Sequence, residues 1–262
     1  MVGTLPRAVN LHMAYRSTLD RFLTTLRRRM TLLAAPPVCL LCDGDGRLDD
    51  SGRAVDLCPD CEEALPWLDS PWLHDPLAGA QCTLAPWAYA EPLATLVRDL
   101  KFAGAIPAGR VLGQLLGEAR QAQGAAAPDL QILPVPLHPL RLAERGYNQA
   151  ELLARQAGRV LARPVRTGLL QRLRHTAAQS GLGATDRAAN LEQAFAAELG
   201  RWRGCPVAVV DDVLTTGSTL RAVVKALKAD GAGPVEVWTV ARTLPGTPVA
   251  ALTCRWPSWP IC

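Results

Sequence analysis

Residues 207–219 read Val-Ala-Val-Val-Asp-Asp-Val-Leu-Thr-Thr-Gly-Ser-Thr, and this stretch decides the fold. Its first four residues, Val207 to Val210, are all apolar and predict a strand that is covered on both faces, as in a parallel sheet. We expect the strand to end at Asp211 and Asp212. Ligands of open α/β sheets bind beyond the carboxyl ends of the strands, so the two acids mark a candidate ligand site.

The small polar residues after the acids predict an anion-binding turn. Hydroxyl and backbone N–H groups cluster where a helix is expected to begin, at Thr215, Thr216, Gly217, Ser218 and Thr219. A helix N-terminus of this kind can hold a phosphate, and carboxylates beside it suit sugar hydroxyls or a divalent metal. The alternative is a purely structural turn, since a short motif is only a hypothesis until its structural context is known.

A helix and a second strand are predicted after this turn. One helical face carries the apolar residues Leu220, Val223, Val224 and Leu227, and Gly231 is a stop signal before the apolar segment 235–240. Strand, helix and strand in succession form a βαβ unit. The expected fold class is therefore α/β, with a mostly parallel sheet flanked by helices.

Length and composition favour a globular chain with more than one module. The chain has 262 residues, of which 49% are hydrophobic and 20% charged. This length suits one α/β domain of about 170 residues with a smaller appendage. No apolar run approaches the roughly 20 residues that a membrane-spanning helix requires. The net charge of +4 permits phosphorylated ligands or nucleic acid without arguing for either.

Four of the eight cysteines form two tight pairs, Cys39-Leu-Leu-Cys42 and Cys58-Pro-Asp-Cys61, which fifteen residues separate. This spacing predicts a four-cysteine zinc ribbon over residues 36–66, with a closed structural site that folds the module and does not catalyse. Disulfides or a redox CxxC motif are the alternatives. The N-terminal segment lacks the pattern of a secretory signal, so we expect a cytoplasmic protein.

The remaining segments are predicted from composition. Residues 1–35 are rich in Arg and form a basic amphipathic helical extension, which either packs on the zinc module or contacts a membrane or nucleic acid, or serves as an organelle transit peptide. Residues 67–84 are expected to be a connector, 85–245 the main α/β domain, and 246–262 a tail rich in Trp and Pro.

Cationic side chains outside residues 207–219 are candidates for the same site. Lys101 lies near the end of a predicted helix, where the helix dipole alone would favour a cation. Arg145 precedes another helix, and Asn148 beside it either binds a ligand or only caps that helix. Residues 171–190 are polar, basic and punctuated by Gly, which is typical of a mobile loop that closes over a site or of an ordinary surface loop.

Residues 207–219 resemble the phosphoribosyl pyrophosphate (PRPP) signature of type I phosphoribosyltransferases. Together with the cysteine pairs, five further segments resemble the ComF/GntX family: Arg98-x-x-Lys-Phe-x-Gly104, Val135-Pro-Leu-His138, Arg145-Gly-Tyr-Asn-Gln149, Arg172-x-Arg-x-Thr-x-x-Gln179 and Arg187-x-x-Asn-Leu-x-x-x-Phe195. The match runs from about Cys39 to Arg242. It implies a type I phosphoribosyltransferase-like domain preceded by the zinc ribbon.

The resemblance also implies roles for individual residues. Asp211 and Asp212 would hold the ribose hydroxyls and, indirectly, Mg²⁺, and residues 215–219 would hold the 5′-phosphate of PRPP. Lys101 and Arg145 would be candidates for the pyrophosphate, and a closing loop would carry Arg172, Arg174 and His175. Structural zinc and Mg²⁺ with PRPP are the implied cofactors.

Two functions follow from the resemblance. The first is transfer of phosphoribosyl to an unknown acceptor, in a protein associated with natural competence and DNA uptake. The second is a non-catalytic adaptor with the PRPP fold, which binds single-stranded DNA, a competence helicase or a recombination loader through the zinc ribbon. A fold shared with transferases does not by itself establish transfer.

Overall fold

A computed structural model describes Leu26 and residues 36–73, 77, 79–173 and 194–244. The chain divides into two compact units, Met1–Glu62 and Glu63–Cys262. The basic segment 1–35 (apart from Leu26), the loop candidates Arg174 and His175, and the tail 246–262 lie outside the described residues.

The first unit is built from a short hairpin and two cysteine turns. Strands β1 (Arg47–Leu48) and β2 (Ala54–Val55) pair antiparallel, and helix α1 (Pro59–Glu63) begins just after Cys58. The first cysteine turn is closed by the backbone N–H of Cys39, which donates to the carbonyl of Gly44 at 2.7 Å. The hairpin thus holds the two cysteine pairs on one small scaffold.

The main sheet belongs to the second unit. Its strands are β3 (Trp72–Leu73), β4 (Cys82–Leu84), β5 (Trp87–Ala88), β6 (Gln131–Pro134), β9 (Val207–Leu214) and β10 (Val235–Arg242). The spatial order is β3-β4-β10-β9-β6, with β5 also paired to β10. All of these pairings are parallel except that of β3 with β4. The predicted mixed α/β architecture with a mostly parallel sheet is therefore confirmed.

Helices and a small hairpin surround the sheet. The α-helices are α2 (Leu93–Arg98), α3 (Ile106–Gln121), α4 (Pro139–Arg145), α5 (Gln149–Leu161) and α6 (Ser218–Ala229). A π-helical turn, Asp99–Ala103, continues α2, and a 3₁₀ turn, Gly200–Trp202, precedes β9. Strands β7 (Leu170–Arg172) and β8 (Phe195–Ala197) pair antiparallel in a separate two-stranded sheet.

The central strand β9 is covered on both faces, as its four apolar residues predict. Val207 and Val209 join an apolar cluster that contains the inner face of α6, including Val223. On the opposite face, α5 comes close to the neighbouring strand β6, where Gly158 lies against Ile132. The segment β9-α6-β10 forms the expected βαβ unit, with β9 and β10 parallel.

The predicted end of β9 is wrong by several residues. The strand does not stop at Asp211 and Asp212 but continues to Leu214, because β10 is long enough to pair with it as far as Arg242. Adjacent strand residues point to opposite faces. The two acids therefore lie within the strand, and their side chains leave it in opposite directions.

Residues 67–84, for which the sequence predicts a connector, contribute structure to the main sheet. Strand β4 pairs with β10, and β3 pairs with β4 in turn. Leu77, between these two strands, is buried in the apolar cluster under α6. This segment is short and rich in Pro and Trp, so neither helical nor alternating periodicity marks its strands.

We expect Gly113→Ala to lower the free energy of unfolding. A Cβ atom at this position in α3 would lie 2.7 Å from the carbonyl oxygen of Leu153 in α5, so the two helices would have to separate. The clash should outweigh the gain in helix propensity, for a net loss of about 1–2 kcal/mol. Urea unfolding measures the loss. Arg110→Ala, at an exposed position of the same helix, should change stability by no more than about 0.5 kcal/mol.

Candidate functional site

The two acids of β9 are each approached by a cation from a different element. The ammonium Nζ of Lys101, in the π-helical turn, lies 3.0 Å from Oδ1 of Asp212. The guanidinium of Arg172, at the end of β7, interacts electrostatically with Asp211. The structure thus brings together four of the predicted site residues from three separate elements.

Asp212 is nearly buried, with 5% of its surface exposed. Lys101 partners Oδ1, but Oδ2 is buried and has no hydrogen-bond partner among the described residues. Leaving a buried acceptor unsatisfied costs roughly 1–3 kcal/mol, and more for a charged group. Such an atom fits a ligand hydroxyl or a cation that would satisfy it.

Asp211 is held in a setting that disfavours its charged form. Burial, followed by the negative charge of Asp212, raises the pKa of Asp211 to about 7. The N–H of Asp212, which donates to Oδ1 of Asp211 at 2.9 Å, opposes this rise, as do Lys101 and Arg172. Burial also lowers the pKa of Arg172, although Asp211 favours its charged form. A bound cation or hydroxyl donor would relieve the cost of ionising Asp211.

The turn after β9 has the geometry that residues 215–219 predict. Gly217 adopts a left-handed conformation with φ +72°, and α6 begins at Ser218. Added to Gly217, a Cβ atom would lie 2.7 Å from Cδ2 of Leu77, so both the conformation and the space require glycine. Thr215 and Thr216 are exposed, and Oγ1 of Thr216 lies 3.0 Å from Oγ of Ser218.

The N-cap of α6 is Gly217, which has no side chain to cap the first turn. The N–H of Ser218 lies 3.5 Å from Oγ1 of Thr216, at the outer limit of a hydrogen bond, so an anion could compete for it. The guanidinium of Arg221 donates to the carbonyl of Thr216 and fixes the turn. Exposed hydroxyls around a helix N-terminus can bind an anion, because unsatisfied N–H groups and the helix dipole both favour negative charge.

The π-helical turn places Lys101 toward the acids and leaves its neighbour Phe102 77% exposed. Single π-helical turns are frequent at functional sites. The hydroxyl of Tyr147 donates to the carbonyl of Leu100 and ties this turn to the start of α5. Arg145 stacks over Phe102 with its guanidinium carbon 5.7 Å from the ring centroid, and it donates to Gln149. Arg145 therefore lies beside the turn that carries Lys101.

Helix α4, which carries Arg141 and Arg145, has no buried residue. Its N-cap is His138, whose Nδ1 accepts from the N–H of Leu140 at 3.3 Å. The charge of Arg141 acts on Arg172, although less strongly than that of Asp211. This exposed helix therefore adds positive charge on the side of the acids where Arg172 lies.

Asn148 is a helix cap, which was one of its two predicted roles. Its Oδ1 accepts from the N–H of Ala150 at 3.0 Å, and its Nδ2 donates to the carbonyl of Val135 at 2.9 Å. Arg221 and Tyr147 were missed by sequence reasoning. Arg221 could have been found from its position four residues after Gly217 on the same helix, whereas Tyr147 reaches across 47 residues of sequence and gives no local signal.

The four paired cysteines form one cluster in the first unit. The sulfur atoms of Cys39, Cys42, Cys58 and Cys61 all lie within 4.8 Å of one another. The sulfurs of Cys42 and Cys58 are 3.7 Å apart, which is too long for a disulfide. Four convergent thiols from two CxxC turns are compatible with a structural metal such as zinc. The predicted convergence of the four cysteines is confirmed.

None of the helices in the described ranges is sufficiently long and apolar to span a membrane.

Comparison with known proteins finds several relatives. Competence protein F of Haemophilus influenzae is 39% identical over 160 residues, which are 59% of this chain and 69% of that protein. DNA utilization protein YhgH of Escherichia coli K12 is 35% identical over 218 residues, 79% of this chain and 91% of that protein. Competence protein ComFC of Streptococcus pneumoniae is 26% identical over 217 residues, 81% of this chain and 92% of that protein.

Two further comparisons add little. No protein-family model matches the chain. The crystal structure of TT1426 from Thermus thermophilus is similar with a TM-score of 0.33 and 16% identity, over 57% of this chain and 90% of that one. A likeness at this level does not establish a shared fold.

The fold and the sites define a class of protein: a four-cysteine, metal-compatible module followed by an α/β unit with paired acids in its central strand. Relatives at 35–39% identity, matched over most of their length, then identify the family. The chain belongs to the ComF family.

We expect the stability of the wild type to depend on pH more steeply than that of Asp211→Asn. The folded protein, with a pKa of about 7 at Asp211 against the usual 3.8, holds this proton more tightly than the unfolded chain does. Raising the pH through this interval therefore lowers the free energy of unfolding. The free energy of unfolding of Asp211→Asn, relative to that of the wild type, should be on the order of 2 kcal/mol higher at about pH 8 than at about pH 5. Parallel pH profiles of the two proteins in urea unfolding would contradict this.

Proposed function

We propose that the carboxyl end of β9 binds PRPP together with Mg²⁺. The observation that carries the proposal is the buried Oδ2 of Asp212, a charged acceptor with no partner among the described residues. It lies three residues before a hydroxyl-rich turn that opens a helix. A sugar phosphate offers a hydroxyl to the carboxylate of Asp212 and a phosphate to the hydroxyl-rich turn.

The ribose end is assigned to Asp211 and Asp212. Both acids lie beyond Val210, the last residue of β9 that pairs with β6, so this edge of the strand is open to a sugar. The raised pKa of Asp211 supports this role, because its carboxyl needs a hydroxyl donor or a nearby cation to stay ionised. Hydroxyl donors on the ribose would supply that need.

The 5′-phosphate is assigned to the turn at residues 215–219. Thr215 and Thr216 are exposed and can donate from their hydroxyls, and Ser218 and Thr219 begin the helix. Gly217 lets the chain turn closely enough for successive N–H groups to converge on one anion. This arrangement holds a phosphate without a dedicated cation.

The pyrophosphate end is assigned to Lys101 and Arg145, with Arg172 from β7. Arg174 and His175, the other loop candidates of the sequence, are assigned to the same end and lie outside the described residues. Lys101 contacts Asp212, and both Lys101 and Arg172 act electrostatically on Asp211. Lys101 would have to leave Asp212 to reach a phosphate oxygen. Arg145 stacks on the exposed ring of Phe102 and donates a hydrogen bond to Gln149. Both partners are neutral, so the positive charge of Arg145 remains available to a ligand.

The chemistry of such a site is displacement at the ribose carbon that bears the pyrophosphate. Positive charge builds on the sugar while negative charge builds on the leaving group, so cations at the pyrophosphate end stabilise the transition state. Asp211 and Asp212 would orient the ribose and balance the positive charge on the sugar. Mg²⁺ would supply further charge neutralisation on the pyrophosphate oxygens.

The biological setting is proposed from the relatives. Proteins named for competence and for DNA utilization cover most of this chain, which supports a role in DNA uptake. The same names fit a second candidate, a non-catalytic adaptor that binds PRPP. The adaptor would contact single-stranded DNA, a helicase or a recombination loader through its cysteine module.

We expect the wild type to bind PRPP in the presence of Mg²⁺ and Asp211→Asn/Asp212→Asn to bind at least about tenfold more weakly, a loss of roughly 1.4 kcal/mol or more. Isothermal titration calorimetry measures this whether or not PRPP is turned over. The matched control Asp129→Asn changes an exposed acid before β6 and should bind as the wild type does. A wild type that shows no heat of binding would refute the proposal, and pyrophosphate release when a candidate acceptor is added would exclude the non-catalytic adaptor.

Metal analysis should find about one zinc per chain, since four thiolates complete a tetrahedral site. Cys58→Ser/Cys61→Ser should lose the metal, because two thiolates do not hold zinc as four do. Cys205→Ser is the control, since Cys205 is a free cysteine outside the cluster. A purified wild type that is folded and free of metal would count against structural zinc.

A further inference from the structure

A second polar surface lies at the amino-terminal ends of β6 and β9, whereas the proposed PRPP site lies beyond the carboxyl ends. We call it the arginine face and define it by Arg155, Arg159, Arg163, Arg166 and Arg201, with Trp202. It is anchored to the sheet where Val165 pairs with Ile132 of β6 and where Nε of Arg166 donates to Oε1 of Gln131 at 2.9 Å.

Three of these arginines surround an open cavity of about 300 Å³ at the end of α5. Arg155 and Arg159 are exposed on the last turns of the helix, and Arg163 follows its end. The floor contains Gly158, where a Cβ atom would lie 2.7 Å from Cγ2 of Val165. Arginines thus make up half of the residues that line this open cavity, beside Gly158, Ala162 and Val165.

Trp202 organises the other two arginines. The guanidinium carbon of Arg166 lies 4.5 Å from the centroid of the indole ring, and that of Arg201 lies 4.7 Å from it. Stacking on an aromatic ring fixes the plane of a guanidinium and leaves its N–H donors at the edge. The indole ring thus fixes the orientation of two guanidinium groups that come from separate segments of the chain.

The positive charge of the arginine face is largely uncompensated. Arg159 donates to Gln156, Arg166 donates to Gln131, and Arg163 donates to the carbonyls of Ala126 and Ala127. All of these acceptors are neutral. Within the described ranges, Arg155 is the member of the face that forms an ion pair, with Glu151 at 2.6 Å.

We propose that the arginine face binds the phosphodiester backbone of a nucleic acid. Arg155 and Arg159 are four residues apart, about 6 Å along the helix axis, and the other arginines lie on further segments, so a single small anion would engage only part of the face. Guanidinium forks match phosphate oxygens in two-point contacts. Arginines stacked on an aromatic ring also offer planar surfaces on which bases can stack, which an acidic peptide would not use.

The test uses the full-length protein and a fluorescently labelled DNA oligonucleotide, single-stranded or duplex, in anisotropy titrations at several salt concentrations. Arg159→Glu/Arg201→Glu should weaken binding about tenfold or more at low salt. The slope of log affinity against log salt should become shallower by roughly 0.7 for each lost contact on a single strand and 0.9 on a duplex. Arg163 and Arg166 are left unchanged because they hold backbone carbonyls and Gln131.

Controls separate this surface from general charge effects. Arg110→Glu reverses an exposed arginine on α3 and should bind DNA as the wild type does. If the double reversal does not fold, Arg159→Gln/Arg201→Gln removes the charges with less repulsion and should still weaken binding. PRPP binding should be unchanged in either double variant, which keeps this test independent of the proposed activity.

Four outcomes would overturn the proposal. The first is unchanged DNA affinity in the double variant, and the second is an equal loss of affinity in Arg110→Glu. The third is displacement of DNA by inorganic phosphate when a control salt of the same ionic strength does not displace it. The last is binding of polyglutamate as tight as that of DNA. The first would assign any DNA binding to another part of the chain. The last would point to an acidic protein partner.

Discussion

The placement of two adjacent carboxylates within the central strand, Asp212 buried and Asp211 half-buried, is the constraint on which the α/β unit depends. Asp211 and Asp212 occupy positions where pairing of β9 with β10 continues, so the sheet fixes where their charges lie. Their charge is therefore tolerated only with help from elsewhere. Lys101 supplies it by pairing with Asp212, and Lys101 and Arg172 both act on Asp211, so the π-helical turn and the β7–β8 hairpin come to the same strand end.

How much of this could be predicted depends on whether the signal is local. The apolar run of β9, the helical spacing of α6 and the cysteine pairs are local, and each predicted its element correctly. The length of β9 was missed because it is set by its partner β10. The pairing of Lys101 with Asp212 joins residues far apart in sequence, so spacing could nominate both for one site but could not show which acid the lysine meets.

The chain uses two different means of stabilisation. The second unit has a continuous apolar cluster that runs from Leu77 through β9 and α6. The first unit contains short strands of two residues each and relies on cysteine turns and ion pairs such as Arg47–Glu62 at 2.5 Å. The described part of this unit, residues 36–62, is small and has few buried apolar side chains, among them Val55 and Leu57. A metal at the cysteine cluster would add to the stability of this part.

Helix α4 shows how local stability and ligand recognition are connected. None of its residues is buried, so unfolding this helix exposes almost no apolar surface and need not disturb the sheet. Its backbone amides should therefore exchange with solvent through local fraying, at a free energy well below that of global unfolding. A ligand that engaged Arg141 or Arg145 would have to restrict this fraying, at a cost in conformational entropy. Slowed exchange of the helix's backbone amides, which all of its residues except Pro139 carry, would report the contact.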